Sequence, residues 1–373
     1  MKKILLLLSS LLFFGVSLEA AEFRRMGQDY RALAMGNTGI VTASNSNALY
    51  YNPAAMALIT DYWFDFPSME SSYNGDGLPL SSSLIPSELG DIIQSISGYA
   101  VPDGWALSTA TVGQRDTFFT NYANTTPYVK YALGLNAMFN IQTKGTTMGF
   151  NRAVEFTHDM TVNATTLDYY GKKDLVHQGG FSLPIGLGQL VIGGAWRYVE
   201  RTELTATGVT SASAFPKLMA DGVTGSGVGY DIGFLWRTAS KMRIVWGGVY
   251  RAPIVLSGGL DPIPEEAALG MGIVHNWDSM NLTLAIDYRD LTNQLSTNSS
   301  RKLHMGAEFG FFPFSDNQAF YTLRYGYNQG LWSQGVEASM GKGLILGLTR
   351  YQESNGVDAS PQGRMAYYFN IGF

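Results

Sequence analysis

The feature that most restricts the fold of this sequence is a strict alternation of side chains over many short segments. From 226 to 237, one parity carries large apolar residues and the other carries mostly glycine and charged residues. Successive side chains of a β-strand point to opposite faces, so this period of two predicts a strand with one apolar face. The pattern returns at 241–251, which predicts a hairpin. Further segments of this kind lie at 129–142, 189–198, 281–289 and 302–309.

Soluble antiparallel sandwiches also alternate, so the choice between a sandwich and a membrane barrel depends on the connections between strands. Strands are predicted near 128–142, 146–157, 175–186, 189–202, 226–237, 241–252, 266–276, 280–290, 301–312, 317–327, 331–340, 343–352 and 362–373. Tight turns near Gly145, Gly188, Ser240, Asp278 and Gly341, and a slightly longer one near Asp316, alternate with longer segments at 158–174, 203–225, 253–265, 291–300 and 353–361. Only the link near Gln329 departs from this alternation. Short periplasmic turns and long outer loops are typical of a transmembrane β-barrel.

The composition agrees with a membrane barrel and excludes several other classes. Only 15% of the residues are charged, against about 25% in an average soluble protein. Beyond the first residues, no run approaches the ~18 apolar residues of a spanning helix. The absence of cysteine excludes a disulfide scaffold, and the net charge of −5 without a basic stripe argues against nucleic-acid binding.

The first twenty residues have the pattern of a secretory signal peptide. Two lysines precede an apolar run from Ile4 to Val16, and small residues follow at Ala20 and Ala21. A transmembrane anchor is the alternative, but the run is shorter than the ~20 apolar residues that cross a bilayer. We therefore expect residues 1–20 to be removed on export.

The last strand ends in alternating apolar residues that are typical of an outer-membrane assembly signal. Phe369, Ile371 and Phe373 share one parity with Met365 and Tyr367. These positions face lipid, where a lysine or arginine at the midplane costs ~2–4 kcal/mol. We expect the barrel assembly machinery to recognise this strand, and we expect outer-membrane lipid to surround the barrel in a Gram-negative envelope.

An even strand number requires one more strand, and residues 58–67 supply it, which gives about fourteen strands, with twelve or sixteen as the alternatives. The barrel domain then covers 58–373, with 68–127 as a long outer excursion containing a short helix at 87–97. Residues 21–57 do not alternate, and we predict that they form a hatch that plugs the lumen. An open sheet edge in hydrocarbon leaves unpaired backbone groups, so the barrel must close.

The N-terminal stretch resembles a known family. Residues 31–39, Arg-Ala-Leu-Ala-Met-Gly-Asn-Thr-Gly, and residues 48–54, Ala-Leu-Tyr-Tyr-Asn-Pro-Ala, are similar to the hatch of FadL-like outer-membrane proteins, with Asn52, Pro53 and Ala54 as the motif. Segments 229–235, 287–291, 303–308 and 325–330 resemble the branch called TraF-like, after conjugal transfer. The resemblance covers most of the chain after residue 20.

The resemblance implies a fourteen-stranded barrel with a hatch, and passive uptake of hydrophobic small molecules such as long-chain fatty acids. It also implies release sideways into the membrane after the hatch moves. A barrel that serves structure, secretion or conjugation without transport remains the alternative, because the same family includes secretion accessories.

Within the hatch, Asn52 and Pro53 predict a turn, since an asparagine before a proline favours turn initiation. Gly36 and Gly39 predict close backbone approach in a crowded lumen. The inward parity of the strands carries charged residues that either pair with one another and anchor the hatch or bind a ligand carboxylate. The candidate lumenal contacts are Arg197, Arg243, Arg289, Arg324, His304 and Glu308; Asp231, Arg251, Asp287 and Glu337 share that parity.

Catalytic and metal-binding patterns are absent from the sequence. The four histidines lack metal-ligand spacing, and neither Gly-x-Ser-x-Gly nor His-Glu-x-x-His occurs. We predict that the protein is not an enzyme and has no cofactor and no metal. Its expected partners are lipid, hydrophobic small molecules and, during biogenesis, the assembly machinery.

Overall fold

A computed structural model describes residues 29–43, 47–59, 63–74, 111–141, 146–186, 189–213, 218–240, 242–294, 299–315, 318–341, 343–353 and 362–372. In this part of the chain, fourteen antiparallel strands close into a barrel, and β1 pairs with β14 to complete it. The strands are β1 Trp63–Asn74, β2 Tyr128–Ile141, β3 Thr146–Val162, β4 Leu167–Ile185, β5 Leu190–Val209, β6 Val223–Arg237, β7 Met242–Arg251, β8 Glu266–Asn276, β9 Met280–Tyr288, β10 Leu303–Ser315, β11 Gln318–Asn328, β12 Leu331–Met340, β13 Leu344–Glu353 and β14 Gln362–Gly372. The predicted all-β membrane barrel of about fourteen strands is confirmed.

Alternate side chains face outward, as the sequence predicted. On β6, Val228 is 66% exposed and Ile232 is 58% exposed, whereas Asp231 between them is 1% exposed. An apolar outer face opposite a polar inner face is the pattern of a barrel surrounded by lipid.

A row of polar side chains marks one edge of the apolar band. Arg152, His177 and Tyr198 are neighbours across β3, β4 and β5 on the outward parity. Residues 177–185 of β4 lie between this row and the turn that leads to β5, which is about 30 Å of strand at ~3.3 Å per residue. A tilt of about 40° reduces this length to about 23 Å, close to the ~25 Å of an outer-membrane apolar band.

The connections place all short turns at one end of the barrel. The strand ends that flank 142–145, 186–189, 238–241, 277–279, 316–317 and 341–343 meet at this end, which corresponds to the periplasmic end of barrels of this kind. The strand ends that flank the long segments 75–127, 210–222, 252–265, 289–302 and 354–361 lie at the opposite end, with the short link at 329–330.

The loop predicted at 158–174 is largely strand, and the loop predicted at 203–225 is strand at both ends, which corrects that part of the sequence analysis. The β3 strand continues to Val162, β4 begins at Leu167 and β5 continues to Val209. These extensions stand beyond the apolar band. The alternation continues in them, but charged residues face inward and two helices cover the outer face, so the pattern no longer resembles a lipid-facing strand.

Helices lie inside and beside the barrel: α1 Tyr30–Ala34, α2 Ala48–Tyr51, a 3-10 helix Pro53–Leu58, α3 Val112–Tyr122, α4 Leu218–Asp221 and α5 Ser299–Lys302. The first strand is Trp63–Asn74 rather than 58–67, because Pro53 starts a 3-10 helix that continues to Leu58. The outer excursion predicted at 68–127 therefore begins after Asn74. Within the described residues, no helix combines the length and apolar character needed to cross a bilayer.

Several predictions fall on residues that the structure does not describe. They include the signal peptide at 1–20, the first hatch residues 21–28, the helix at 87–97, the turns at Gly145, Gly188 and Asp316, and the position of Phe373. Phe369 and Ile371 lie on β14, where they pair with Leu346 and Leu344 of β13. Ile371 is exposed on the outer face.

Candidate functional site: the hatch and the lumen

The segment from 29 to 59, excluding 44–46, lies in the lumen and forms the core of the molecule with the inner wall; we call it the hatch. Tyr30, Ile40, Leu49 and Met56 have no exposed surface. The α1 helix contacts β11 to β14, whereas the 3-10 helix contacts β3 to β6. The hatch therefore joins two opposite sides of the barrel.

The turn after α1 rests on glycines of the wall. Gly36 has φ +68°, a left-handed conformation that favours glycine. A Cβ atom on Gly326 of β11 would lie 2.5 Å from the Cα atom of Gly36, and one on Gly306 of β10 would lie 2.8 Å from the Cβ atom of Met35. We call Gly306 and Gly326 the glycine seat, because larger residues there would displace the turn.

The Asn-Pro-Ala motif joins the two halves of the hatch to the wall. The Asn52 Nδ2 donates to the carbonyl oxygens of Ile40 at 3.0 Å and Phe234 at 3.1 Å, and its Oδ1 accepts from the Ala54 amide at 3.0 Å. A Cβ atom on Gly193 would lie 2.8 Å from the Cα atom of Ala54. Aspartate is isosteric with Asn52 but lacks the amide donor, so the motif requires asparagine for its hydrogen bonds.

A buried network of charges anchors α1 to the wall. Arg31 reaches Glu308 of β10 through Nε at 3.2 Å and Nη2 at 3.1 Å. The Arg324 Nε donates to the same carboxylate at 2.6 Å, and its Nη1 and Nη2 reach Glu337 at 3.1 Å. The Tyr368 hydroxyl donates to Glu337 at 2.7 Å. Arg324 is fully enclosed, whereas the side chains of Arg31 and Glu308 keep 16% and 13% of their surface exposed.

Backbone groups of the hatch turn bind polar side chains of β9 and β10. Asp287 accepts from the amides of Gly39 at 2.8 Å and Ile40 at 3.1 Å. Arg289 donates to the carbonyl oxygen of Asn37. The His304 Nδ1 lies 3.0 Å from the carbonyl oxygen of Gly36, which can only accept, so this nitrogen carries the proton. Gly39 also lies against the ring of Tyr51 within the hatch.

Two further side chains contact the hatch; sequence reasoning placed Arg251 on the inward parity without singling it out, and it did not name Thr349. The Arg251 Nη2 donates to the carbonyl oxygen of Tyr50 at 2.7 Å, and its Nη1 reaches Glu266 at 2.7 Å. Thr349 donates to the carbonyl oxygen of Tyr30 at 2.9 Å. Parity shows that such side chains point inward, but it does not show which lumenal atom each one meets.

The structure places Arg197 against a loop rather than against the hatch. Its Nη2 lies 2.8 Å from Asp231 and 3.4 Å from the carbonyl oxygen of Ala252. The loop that starts there folds into the outer mouth, where Ile254 and Leu256 pack on Val176 and Val199 of the wall. The inner face of β6 at this level consists of Gly225, Gly227 and Gly229, which leave room for the loop backbone.

Arg243 lies at the periplasmic end, in a cavity of about 80 Å³ between the hatch and the wall. Arg31, Arg237 and Arg243 line this cavity, together with hatch residues on one side and the turn ends of β6 to β11 on the other. Arg237 and Arg243 are partly exposed. Within the described residues, no group of three or more histidine, aspartate or glutamate side chains is arranged to hold a metal ion.

Beyond the apolar band, the extensions of β3 to β5 carry a charged inner face. Asp174 accepts from Arg201 Nε at 2.6 Å, and Lys172 Nζ lies 3.2 Å from it. Burial raises the pKa of Asp174, but Lys172 and Arg201 more than offset this effect and hold its pKa below the ordinary value.

The outer face of the same extensions is apolar and covered by helices. Phe118 and Phe119 of α3 pack on Met160, Val162 and Leu167, and Leu218 of α4 packs on Tyr131 and Phe156. His158 lies between these clusters, 2% exposed, with its Nδ1 2.9 Å from the Tyr169 hydroxyl. Burial lowers the pKa of His158 to about 4.

Solved structures with a similar fold are known. The Ralstonia pickettii toluene transporter TbuX superposes with a TM-score of 0.52 at 14% identity, covering 92% of this chain and 97% of that one. A Pseudomonas aeruginosa FadL homologue gives 0.52 at 12%, covering 95% and 99%. The P. putida toluene transporter TodX gives 0.50 at 14%, covering 91% and 96%.

The chain shares the fold of these barrels. At such low identity the likeness establishes the fold, and the residues that bind or move a solute must be argued from this chain. These structures give no support to the narrower resemblance to the TraF-like branch. No family model matches the sequence, and no curated protein matches it.

Proposed function

We propose that this protein is an outer-membrane channel through which hydrophobic small molecules enter passively. The observation that carries the proposal is a barrel of this fold whose lumen holds a hatch instead of an open aqueous pore. A lumen filled with side chains obstructs hydrated solutes, whereas an apolar molecule gains free energy by leaving water for apolar contacts. The similar structures include a toluene transporter and a FadL homologue.

The hatch contacts suggest how such a channel opens. The Asn52 bonds, the glycine seat and the Arg31–Glu308 pair hold the hatch, and a solute passes only when some of them break. Of the charges in the buried network, Arg31 and Glu308 keep some exposed surface, so this pair is the part that water or a ligand reaches first. We propose that Arg289, Arg324 and His304 act as hatch anchors rather than as ligand contacts.

Long-chain fatty acids and monoaromatic hydrocarbons are the two solute classes to compare. The test uses vesicles with a lipopolysaccharide outer leaflet that contain the purified protein, and it measures entry of labelled laurate, toluene and glucose. We expect faster entry of at least one apolar solute than in protein-free vesicles, with no effect on glucose. Equal rates with and without protein, or glucose entry as fast as that of toluene, would refute the proposal.

A secretion-associated or structural barrel is the second candidate, and one observation favours it. The β3–β5 extensions with α3 and α4 form a folded sheet beyond the membrane, which offers a surface to a protein partner. Crosslinking in intact envelopes separates the candidates, since a stoichiometric partner on residues of α3, together with no solute entry, would favour this one.

A further inference from the structure

The cavity beneath the hatch combines positive charge with an apolar wall. Arg31 reaches it from the hatch, and Arg237 and Arg243 reach it from β6 and β7. Side chains that complete the lining with amide and hydroxyl groups are Thr38, Thr42, Asn281, Thr283, Gln318 and Thr322. Its apolar part includes Val41, Leu58, Val245 and Val274.

The two acidic side chains of the lining accept hydrogen bonds from other residues. Glu308 accepts from both Arg31 and Arg324, and Asp29 accepts from the backbone amide of Arg31 at the start of α1. Among the described residues of the lining, three guanidinium groups stand against two carboxylates. A buried atom, Oε1 of Gln318, has no hydrogen-bond partner in the structure.

Guanidinium groups prefer planar oxyanions, because two N–H donors match the two oxygens of a carboxylate. The volume sets the size of the rest of the ligand. About 80 Å³ corresponds to roughly five to eight water molecules at ~10–15 Å³ each. This is about half of the ~150 Å³ of an engineered cavity that holds benzene, so the enclosed space takes the carboxylate end of a small ligand while its ring lies at the opening. A long acyl chain would project well beyond it.

We propose that this cavity is a binding site for small carboxylates, with Arg237 and Arg243 as its charged recognition residues. The site opens toward the periplasmic end and adjoins the glycine seat, because Met35 and Thr38 line the cavity and also lie against Gly306. It stands whether or not the barrel passes uncharged hydrocarbons. Arg31 links the site to the hatch, because a bound carboxylate offers it a second acceptor beside Glu308.

Calorimetry on the purified full-length protein in detergent tests the site with benzoate, its neutral isostere benzamide, and laurate. We expect benzoate to bind, and benzamide and laurate to bind at least about tenfold more weakly, because the first lacks the charge and the second exceeds the volume. Arg237→Gln and Arg243→Gln should each weaken benzoate binding about tenfold or more. Equal affinity for benzamide, or unchanged affinity in both variants, would overturn the proposal.

The matched control is Arg350→Gln, which removes an exposed arginine of β13 outside the cavity and should leave benzoate binding unchanged. A second measurement keeps the lining arginines in place. The chain has no cysteine, so Thr283→Cys introduces a single thiol into the cavity. An anionic thiol reagent should label it faster than a cationic reagent of the same size, and benzoate should protect it; faster labelling by the cation, or no protection, would contradict the site.

These outcomes are independent of the transport assay. Benzoate binding with no solute entry would remove the proposed function and leave the site in place. Solute entry with equal affinity for benzoate and benzamide would refute the carboxylate site and leave the proposed transport function in place.

Discussion

Replacing Gly326 by alanine should loosen the hatch turn without disturbing the barrel. The new Cβ atom would lie 2.5 Å from the Cα atom of Gly36, whereas ordinary contacts are 3.4–4 Å. The Gly36 amide nitrogen and the Met35 carbonyl carbon would lie closer still, so the turn must retreat by at least the difference, 3.4 − 2.5, or about 1 Å. That shift lengthens the bonds from the Gly36 amide to Ser333, now 3.1 Å, and from His304 to the Gly36 carbonyl oxygen, now 3.0 Å, beyond hydrogen-bond range.

The energetic cost follows from the bonds lost. The Ser333 hydroxyl also donates to the Ala34 carbonyl oxygen at 3.3 Å, so three bonds weaken together. At about 1 kcal/mol each, local opening becomes easier by about 3 kcal/mol. Amide exchange that proceeds through local opening should therefore accelerate by roughly a hundredfold.

Hydrogen–deuterium exchange followed by mass spectrometry on peptides covering residues 29–43 measures this change in detergent. The control is Gly363→Ala on β14, where a Cβ atom meets nothing within 4 Å. Strand peptides should exchange at the wild-type rate in both variants. Hatch exchange that is the same in the Gly326 and Gly363 variants would refute the claim that the turn is seated on wall glycines.

Three further predictions concern the hatch network, the motif and the outer sheet. Glu308→Gln should speed hatch exchange and lower the melting temperature, because it leaves Arg324 enclosed with one carboxylate fewer, at a cost of about 3 kcal/mol; an unchanged melt would contradict the anchor role. Asn52→Asp should cost about 2 kcal/mol, since it removes two donated bonds and keeps the accepted one, and Asn52→Ala should cost at least as much, which denaturant titration would check. Burial lowers the pKa of His158 from 6.5 to about 4, so the buried imidazole stays neutral where the same group in the unfolded chain binds a proton. The contribution of neutral His158 to the free energy of unfolding is therefore complete above pH 6.5 and is lost as the pH falls toward 4. The melting temperatures at pH 7 and pH 4.5, measured by fluorescence, should differ less in His158→Phe than in wild type. Protonation of Asp174, whose pKa is lowered, destabilises the fold only below about pH 4 and does not interfere. An equal difference in both proteins would exclude His158 as the cause.

The barrel was largely predictable because lipid imposes a simple rule on alternate residues. Strands β8 and β12 begin and end where the alternation predicted, at 266–276 and 331–340. The upper parts of β3 to β5 were missed, because α3 and α4 cover their apolar face and paired charges such as Asp174 and Arg201 line the other face. Charged residues at 172–174 looked like a loop for that reason.

The site was predictable only in part. Inward parity places Glu308 and Arg289 in the lumen, but their partners are hatch atoms far away in the sequence, and no local pattern specifies such pairs. A usable signal was present in the inward glycines. Gly227 and Gly233 alternate with lipid-facing residues on β6, and each makes room for lumenal chain, the first for the inward loop and the second for Asn52.

The cavity beneath the hatch could not be predicted, because it forms where side chains of the hatch and strand ends of the wall leave a space between them. Pro184 illustrates a different limit. A proline near a strand end is typical of a bulge or a kink, yet the β4–β5 ladder pairs Pro184 with Val191 without a register shift there. Register shifts lie elsewhere in the described strands: between Asp65 and Ser68 of β1, between Leu167 and Tyr169 of β4, and between Pro313 and Ser315 of β10.

Ion conductance in planar bilayers tests most directly the claim that the hatch, the segment from 29 to 59, closes the lumen. The account predicts no stable conductance for the wild-type protein and a large, steady conductance after deletion of these residues, with the barrel verified by its heat-dependent gel mobility. A wild-type protein that conducts as well as the deletion variant, or a folded deletion variant that stays closed, would contradict it.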